Sequence, residues 1–374
     1  MAEAAHSRSK EIPPLVWPRT LALPQSSANL VYLDLNHWIA LAKASVGHSD
    51  GKRFATTLTA CRAAHLGGRA IFVLSATHYM EMDKIKKPEQ RGDVARIMEE
   101  LSGYASLVNR ATVMELELAA MLDRSVTEPI VEPEILLLGR GVRHSLGRGS
   151  GLTICGPAGD VTEKVRTQMG AEQFDSLVDK AKFLLDRSVL RGPTADEIGE
   201  LRAQGWQPEA AIQVAENRAT QEQKLTPHLD GETKWRRGRL RDVIAARELC
   251  IEFQDMLPRA LARRGISLTD VLDGPASGRQ FVRSMPSTEV SIELKTAWHR
   301  DPGKNWTAND IYDIDAMSLA VPYCDVVVAD KACHNALSAA HLGERMHTAL
   351  LRNLEQLPDV LDCWKSKRRQ ALPV

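Results

Sequence analysis

An α/β fold, with a parallel sheet interrupted by a mostly α-helical insertion, is predicted from three observations. Residues 30–33 (LVYL) and 326–328 (VVV) are short apolar runs near opposite ends of the chain, and they lead into Asp34 and Asp330. Continuous apolar runs suit strands covered on both faces, as in a parallel sheet. A third run, residues 70–74 (AIFVL), lies between stretches of helical pattern, the alternation that parallel crossovers require. The middle of the chain, residues 124–284, has a different texture, with helical periodicity through most of 161–263.

Taken in order, residues 1–27 are punctuated by proline and serine and read as an extended lead-in. The first strand and Asp34 follow, then helices over 37–47 and 52–66. Leu41, Phe54, Leu58 and Cys61 recur there at helical spacing, and Gly67-Gly68 ends the second helix. After the strand at 70–74, Ser75 is the expected N-cap of a helix whose His78 and Glu81 share a face. Helices over 92–104 and 111–123 complete a first core segment, residues 28–123.

Residues 139–160 are rich in glycine and carry Arg140, Arg143, His144 and Arg148; they read as a long loop or loose hairpin. They contain no GK[ST] of a P-loop, so a flexible linker is the better reading than a phosphate cradle. The helical pattern beyond breaks at Gly192-Pro193 and near Pro227. A second core segment, residues 285–374, begins where 284–308 re-enters the core. Asp310, Asp313 and Asp315 then open a short apolar helix that Pro322 is expected to stop, since proline lacks the helical N–H. The strand at 326–328, a last strand within 347–351, an amphipathic helix (Leu354, Leu357, Val360, Leu361) and a basic tail, KSKRRQ, close the chain.

Length and composition bound the function. A chain of 374 residues with 44% hydrophobic and 26% charged residues can form two domains, or one with a large insertion. The formal net charge is zero, so contact with a polyanion must come from a local basic patch. No apolar run is long enough to span a bilayer. The six cysteines form no CxxC pair, which argues against a zinc ribbon or disulfide scaffold. A cytoplasmic, membrane-free protein is expected.

The DLN of residues 34–36, the DAMSLA that begins at Asp315 and the strand leading to Ala329-Asp330 resemble the acidic motifs of PIN-domain nucleases, over residues 28–120 and 285–355. The resemblance implies a three-layer PIN-like parallel sheet flanked by helices. It implies carboxylates that hold divalent metal and cleave RNA, or in some members DNA. The family's acidic residue on the helix after the second strand corresponds to Glu81 in LSATHYMEM. Toxin–antitoxin or phage-defence settings, a homodimer and a protein regulator are further implications, although toxins of this family are much shorter chains.

Asp34, Glu81 and Asp330 are therefore the first three expected ligands, for Mg²⁺ or Mn²⁺, hard cations that prefer oxygen donors. The fourth is Asp313 or Asp315. Two residues apart on a helix they point about 200° away from each other, so one alone faces the cleft. The resemblance favours Asp315, and the other becomes a supporting or helix N-terminal charge. Each acid has an ordinary reading as turn, cap or exposed helix residue; it is their joint occurrence that points to metal. Asn36 either hydrogen-bonds the site or caps a helix, and His78 is more commonly a packed histidine than a catalytic one.

For nucleic acid, residues 234–241 (KWRRGRLR) offer Lys234, Arg236, Arg237, Arg239 and Arg241 with Trp235 among them. Cations contact phosphates and an aromatic ring stacks on unpaired bases, whereas the ordinary reading is a solvated helix face. The expected activity is a metal-dependent endoribonuclease acting on single-stranded regions. The alternatives are an inactive PIN-like scaffold that binds RNA or protein, and an unrelated phosphohydrolase for which no nucleophile motif is present.

Overall fold

Four short strands form a parallel sheet: β1 (Asn29–Leu33), β2 (Ala70–Val73), β5 (Val326–Val328) and β6 (Ala349–Leu351), in the order β6-β5-β1-β2. The computed structural model describes residues 13–24, 27–147, 152–157, 159–194 and 196–364. Beyond β2, Leu74 bridges in parallel to β3 (Ala105–Leu107), and β3 pairs antiparallel with β4 (Leu138–Arg140). β1 and β5, from opposite ends of the chain, are direct neighbours, with Leu33 opposite Val328.

Alternate residues of these strands enter two separate cores. Leu30, Tyr32, Val73 and Val327 face one, and Val31, Leu33, Phe72 and Val328 face the other. All eight are 0–1% exposed, and fully burying a side chain of this size stabilises by about 1.5–3 kcal/mol. The second core is closed by α1 (Leu35–Ser45), α2 (Ala55–Leu66), α4 (Pro88–Ser102) and α12 (Leu357–Cys363). The first is closed by α5 (Arg110–Asp123), α9 (Pro286–His299), α10 (Ala308–Tyr323) and α11 (Lys331–Ala339). Helices therefore cover both faces of a mixed α/β molecule, as the unbroken apolar runs require.

α10 departs from expectation at both ends. It begins at Ala308, where Thr307 and Asp310 form a capping box, and it continues through Pro322 to Tyr323. Pro322 sits in the last turn, and Val321, Pro322 and Tyr323 are all buried there; this packing outweighs the missing N–H. Pro227 is likewise carried inside α7 (Glu209–Gly231), where Leu229 is fully buried.

The middle of the chain is mostly helical, including α6 (Ala171–Arg191), α7 and α8 (Leu240–Arg247). It shares a third core with the sheet-flanking helices: Leu229, Leu240, Ile244 and Phe253 pack with Met114, Leu118 and Leu122 of α5 and Ile292 of α9. The glycine-rich stretch is not simply a loop. Besides β4 it forms a short helix, Gly141–Ser145, and a small antiparallel pair, Cys155–Gly156 with Gly159–Asp160. Gly141 has φ +83°, and a Cβ there would lie 2.3 Å from the Asp186 carboxylate, which accepts a hydrogen bond from the Val142 N–H. Arg148, residues 1–12 of the lead-in and the KSKRRQ tail lie outside the described residues.

Candidate functional site

Register brings the first two acids together. The Asp34 N–H donates to the Val328 carbonyl (3.1 Å), so the chain leaves β1 and β5 at the same level. Asp34 is 8% exposed and takes the N-cap position of α1 without making a capping bond. Its Oδ2 instead accepts a 3.1 Å hydrogen bond from the Asn36 amide. Asp330 does cap α11, accepting the Cys333 N–H at 2.7 Å. For Asp330 capping leaves room for a further contact, because a cap uses one lone pair of a carboxylate that has several.

α3 (Ala76–Met82) delivers Glu81 to the same edge. Its start is fixed by His78, whose Nδ1 accepts the Ser75 N–H (3.1 Å) while its Nε2 donates to the Leu33 carbonyl (2.8 Å). His78 also stacks on Tyr32, and burial pushes its pKa down to about 4. It is thus a neutral packing residue that ties α3 to β1. Asp83 is paired with Arg91 (2.6 Å), leaving Glu81 as the acid of this helix that faces Asp34.

Asp313 of α10 comes closest to Asp330, while Asp34 and Glu81 act on it through their charge. One oxygen each of Asp313 and Asp330 and the Cys333 Sγ lie within 4.8 Å of one another. Burial, then the charges of Asp34, Asp330 and Glu81, push Asp313 up to about 8. Glu81 is pushed up to about 7, chiefly by burial, with Lys84 opposing and Asp34 adding to the rise. Asp34 is raised too, by burial first; His37 opposes this and Asp330 adds to it. Buried and half-buried carboxylates that raise one another's pKa form a site short of positive charge. Oxygen donors of this kind match the preference of Mg²⁺ and Mn²⁺, so the residues present fit such a cation.

Asp315 does not join them. It lies on the other side of α10, where Arg110 Nη1 (2.8 Å) and Arg218 Nη1 (2.6 Å) bind its two oxygens. Burial opposes ionisation there, but the two arginines outweigh it and hold the carboxyl below its ordinary range. The two-residue spacing forces this division, and a short sequence motif does not reveal which acid faces inward. Asp310 is the capping acid, bonded to Thr307 and to Lys304 (2.6 Å).

The basic segment is divided as well. It spans a π-helical turn, Trp235–Arg239, and enters α8. Arg236 bonds the His299 carbonyl and Asp230, and Arg241 is held by the buried acids Glu289 and Glu293. Trp235 packs against the third core. Lys234, Arg237 and Arg239 are exposed, so two of the five expected cations serve the fold.

Two neighbours of the site carried no sequence signal of their own. Cys333 follows Asp330 at the spacing that places it in the first turn of α11. Lys84 follows Glu81 by three residues and reaches Asn309 Oδ1 at 2.6 Å, a contact with no local signature. No protein-family model, curated protein or solved structure matches the chain.

Proposed function

We propose that this protein is a metal-dependent endonuclease, an endoribonuclease that hydrolyses single-stranded RNA at the Asp34, Glu81, Asp313 and Asp330 cluster, in a PIN-like arrangement of sheet and helices. The observation that carries the reading is the approach of Asp313 and Asp330 at the carboxyl edge of a parallel sheet, with Asp34 and Glu81 near enough for their charges to act on Asp313. Open α/β sheets bind ligands at that edge. A divalent cation held there would make a coordinated water more acidic and offset charge on the phosphate.

The chain's own residues prepare the site. Asn36 and the Cys333 N–H each fix one acid, Asp34 and Asp330, before a ligand arrives. Asp313 and Glu81, with pKa values of about 8 and about 7, would give up their protons to a cation held there. Exposed Lys234, Arg237 and Arg239 offer salt-sensitive phosphate contacts.

The test is cleavage of labelled single-stranded RNA and DNA by the full chain in Mn²⁺, Mg²⁺ or EDTA, beside an Asp34→Asn, Asp330→Asn double variant. Metal-dependent cleavage of RNA that vanishes in the variant is expected. Binding of RNA without cleavage under every condition, undiminished in EDTA, would replace the enzyme with a non-catalytic RNA-binding scaffold.

A further inference from the structure

Lys84 lies just beyond α3, and its side chain links the two helices that contribute to the cluster. Its Nζ is 3.5 Å from Glu81 Oε1 and donates a 2.6 Å hydrogen bond to Asn309 Oδ1. It also lies 4.0 Å from the centroid of the Tyr312 ring. Asn309 and Tyr312 belong to the beginning of α10, the helix that carries Asp313. Among the described residues, Arg110 and Arg218 beside this helix are committed to Asp315, and Lys304 to Asp310.

Lys84 thus has one partner inside the carboxylate group and two outside it. A cation entering the group competes with the ammonium for the negative charge of Glu81. When Glu81 turns to that cation, the amide oxygen of Asn309 and the face of Tyr312 still hold the ammonium at the rim. A carbonyl oxygen and an aromatic face attract an ammonium without neutralising it. The charge would then be free for an anion, which under the nuclease reading is a phosphodiester.

We propose that Lys84 has two states: counter-ion to Glu81 before metal binds, and phosphate contact for the polynucleotide afterwards. The inference rests on the metal-dependent nuclease reading. Its chemistry differs from that of a fixed surface ion pair, which has no second partner to take.

The experiment is calorimetric titration of the full chain with Mn²⁺, for the unmodified protein, Lys84→Met and Lys84→Gln, followed by cleavage kinetics at saturating Mn²⁺. Removing a partly exposed competing charge should tighten Mn²⁺ binding about two- to fivefold in both variants. KM for a single-stranded oligonucleotide should rise roughly threefold or more, with a smaller change in kcat, as a lost ground-state contact requires. A structural role alone would not tighten metal binding, and Lys84→Gln keeps a donor for Asn309 should Lys84→Met fail to fold. Unchanged or weaker Mn²⁺ binding overturns the counter-ion state, and an unchanged KM overturns the phosphate contact. Absence of Mn²⁺ binding in the unmodified chain is a separate result that removes the metal site itself.

Discussion

At the scale of single residues, Asp313 and Glu81 make two linked predictions. Their folded pKa values, about 8 and about 7, stand above those of an unfolded chain, near 4. The folded state therefore binds more protons than the unfolded state between roughly pH 4 and 8, and stability falls as pH rises through that window. In EDTA, denaturant unfolding should show this decline, and Asp313→Asn should flatten it and stabilise the protein at pH 8 by roughly 1–3 kcal/mol. Mn²⁺ binding at pH 7 should release protons, seen as a heat that depends on the ionisation enthalpy of the buffer. At pH 9 that release should largely disappear, because both acids are already ionised. A heat independent of buffer at pH 7 would mean that these acids do not meet the metal.

Among elements, α10 is the one with two chemical faces. Asp313 looks to the strand ends, and Asp315 to Arg110 and Arg218. Asp315→Asn leaves two largely buried guanidinium groups short of their partner, and breaking such a pair destabilises by about 3–5 kcal/mol. Chemical denaturation should show that loss while Mn²⁺ binding to the folded protein persists. Asp313→Asn should do the reverse, abolishing most of the binding heat without that loss of stability. Similar behaviour of the two variants would undo the division of faces.

Across the whole molecule, a chain of buried charge joins the middle helices to the sheet-bearing part. Arg218 of α7 pairs with Asp315 and Glu252 (3.4 Å), and Lys295 of α9 contacts Glu222 (3.0 Å), Glu252 (3.2 Å) and Glu248. Glu222 also receives Arg247 (2.5 Å) and His299 (3.1 Å). Burial works to raise Glu222, but Lys295, His299 and Arg247 together bring it down to about 2. With the shared third core, this network should make the middle helices and the sheet unfold together. Scanning calorimetry is expected to give one cooperative transition, and Lys295→Met should lower stability by about 3–5 kcal/mol, since it strands three acids around one vacated position. Two separated transitions would show the middle to be an independent unit.

Much of this was legible in the residues themselves. Strands β1, β2 and β5, the helix after Ser75 and the stop at Gly192 are written in local patterns of apolar spacing, capping and backbone freedom, and local patterns act wherever they occur. Asp34 and Asp330 were legible for the same reason, since a strand that leads into an acid places that acid at the sheet's edge. Tertiary structure alone decided which acids meet. The rotation of α10 follows from packing against α7 and α9, and it turns Asp313 inward while giving Asp315 to an arginine 97 residues away. The same long-range packing carried α7 and α10 through their prolines, took Arg236 and Arg241 out of the basic segment, and set Lys84 against Asn309. Those outcomes depend on partners distant in sequence, whose contacts leave no mark in the local spacing of residues.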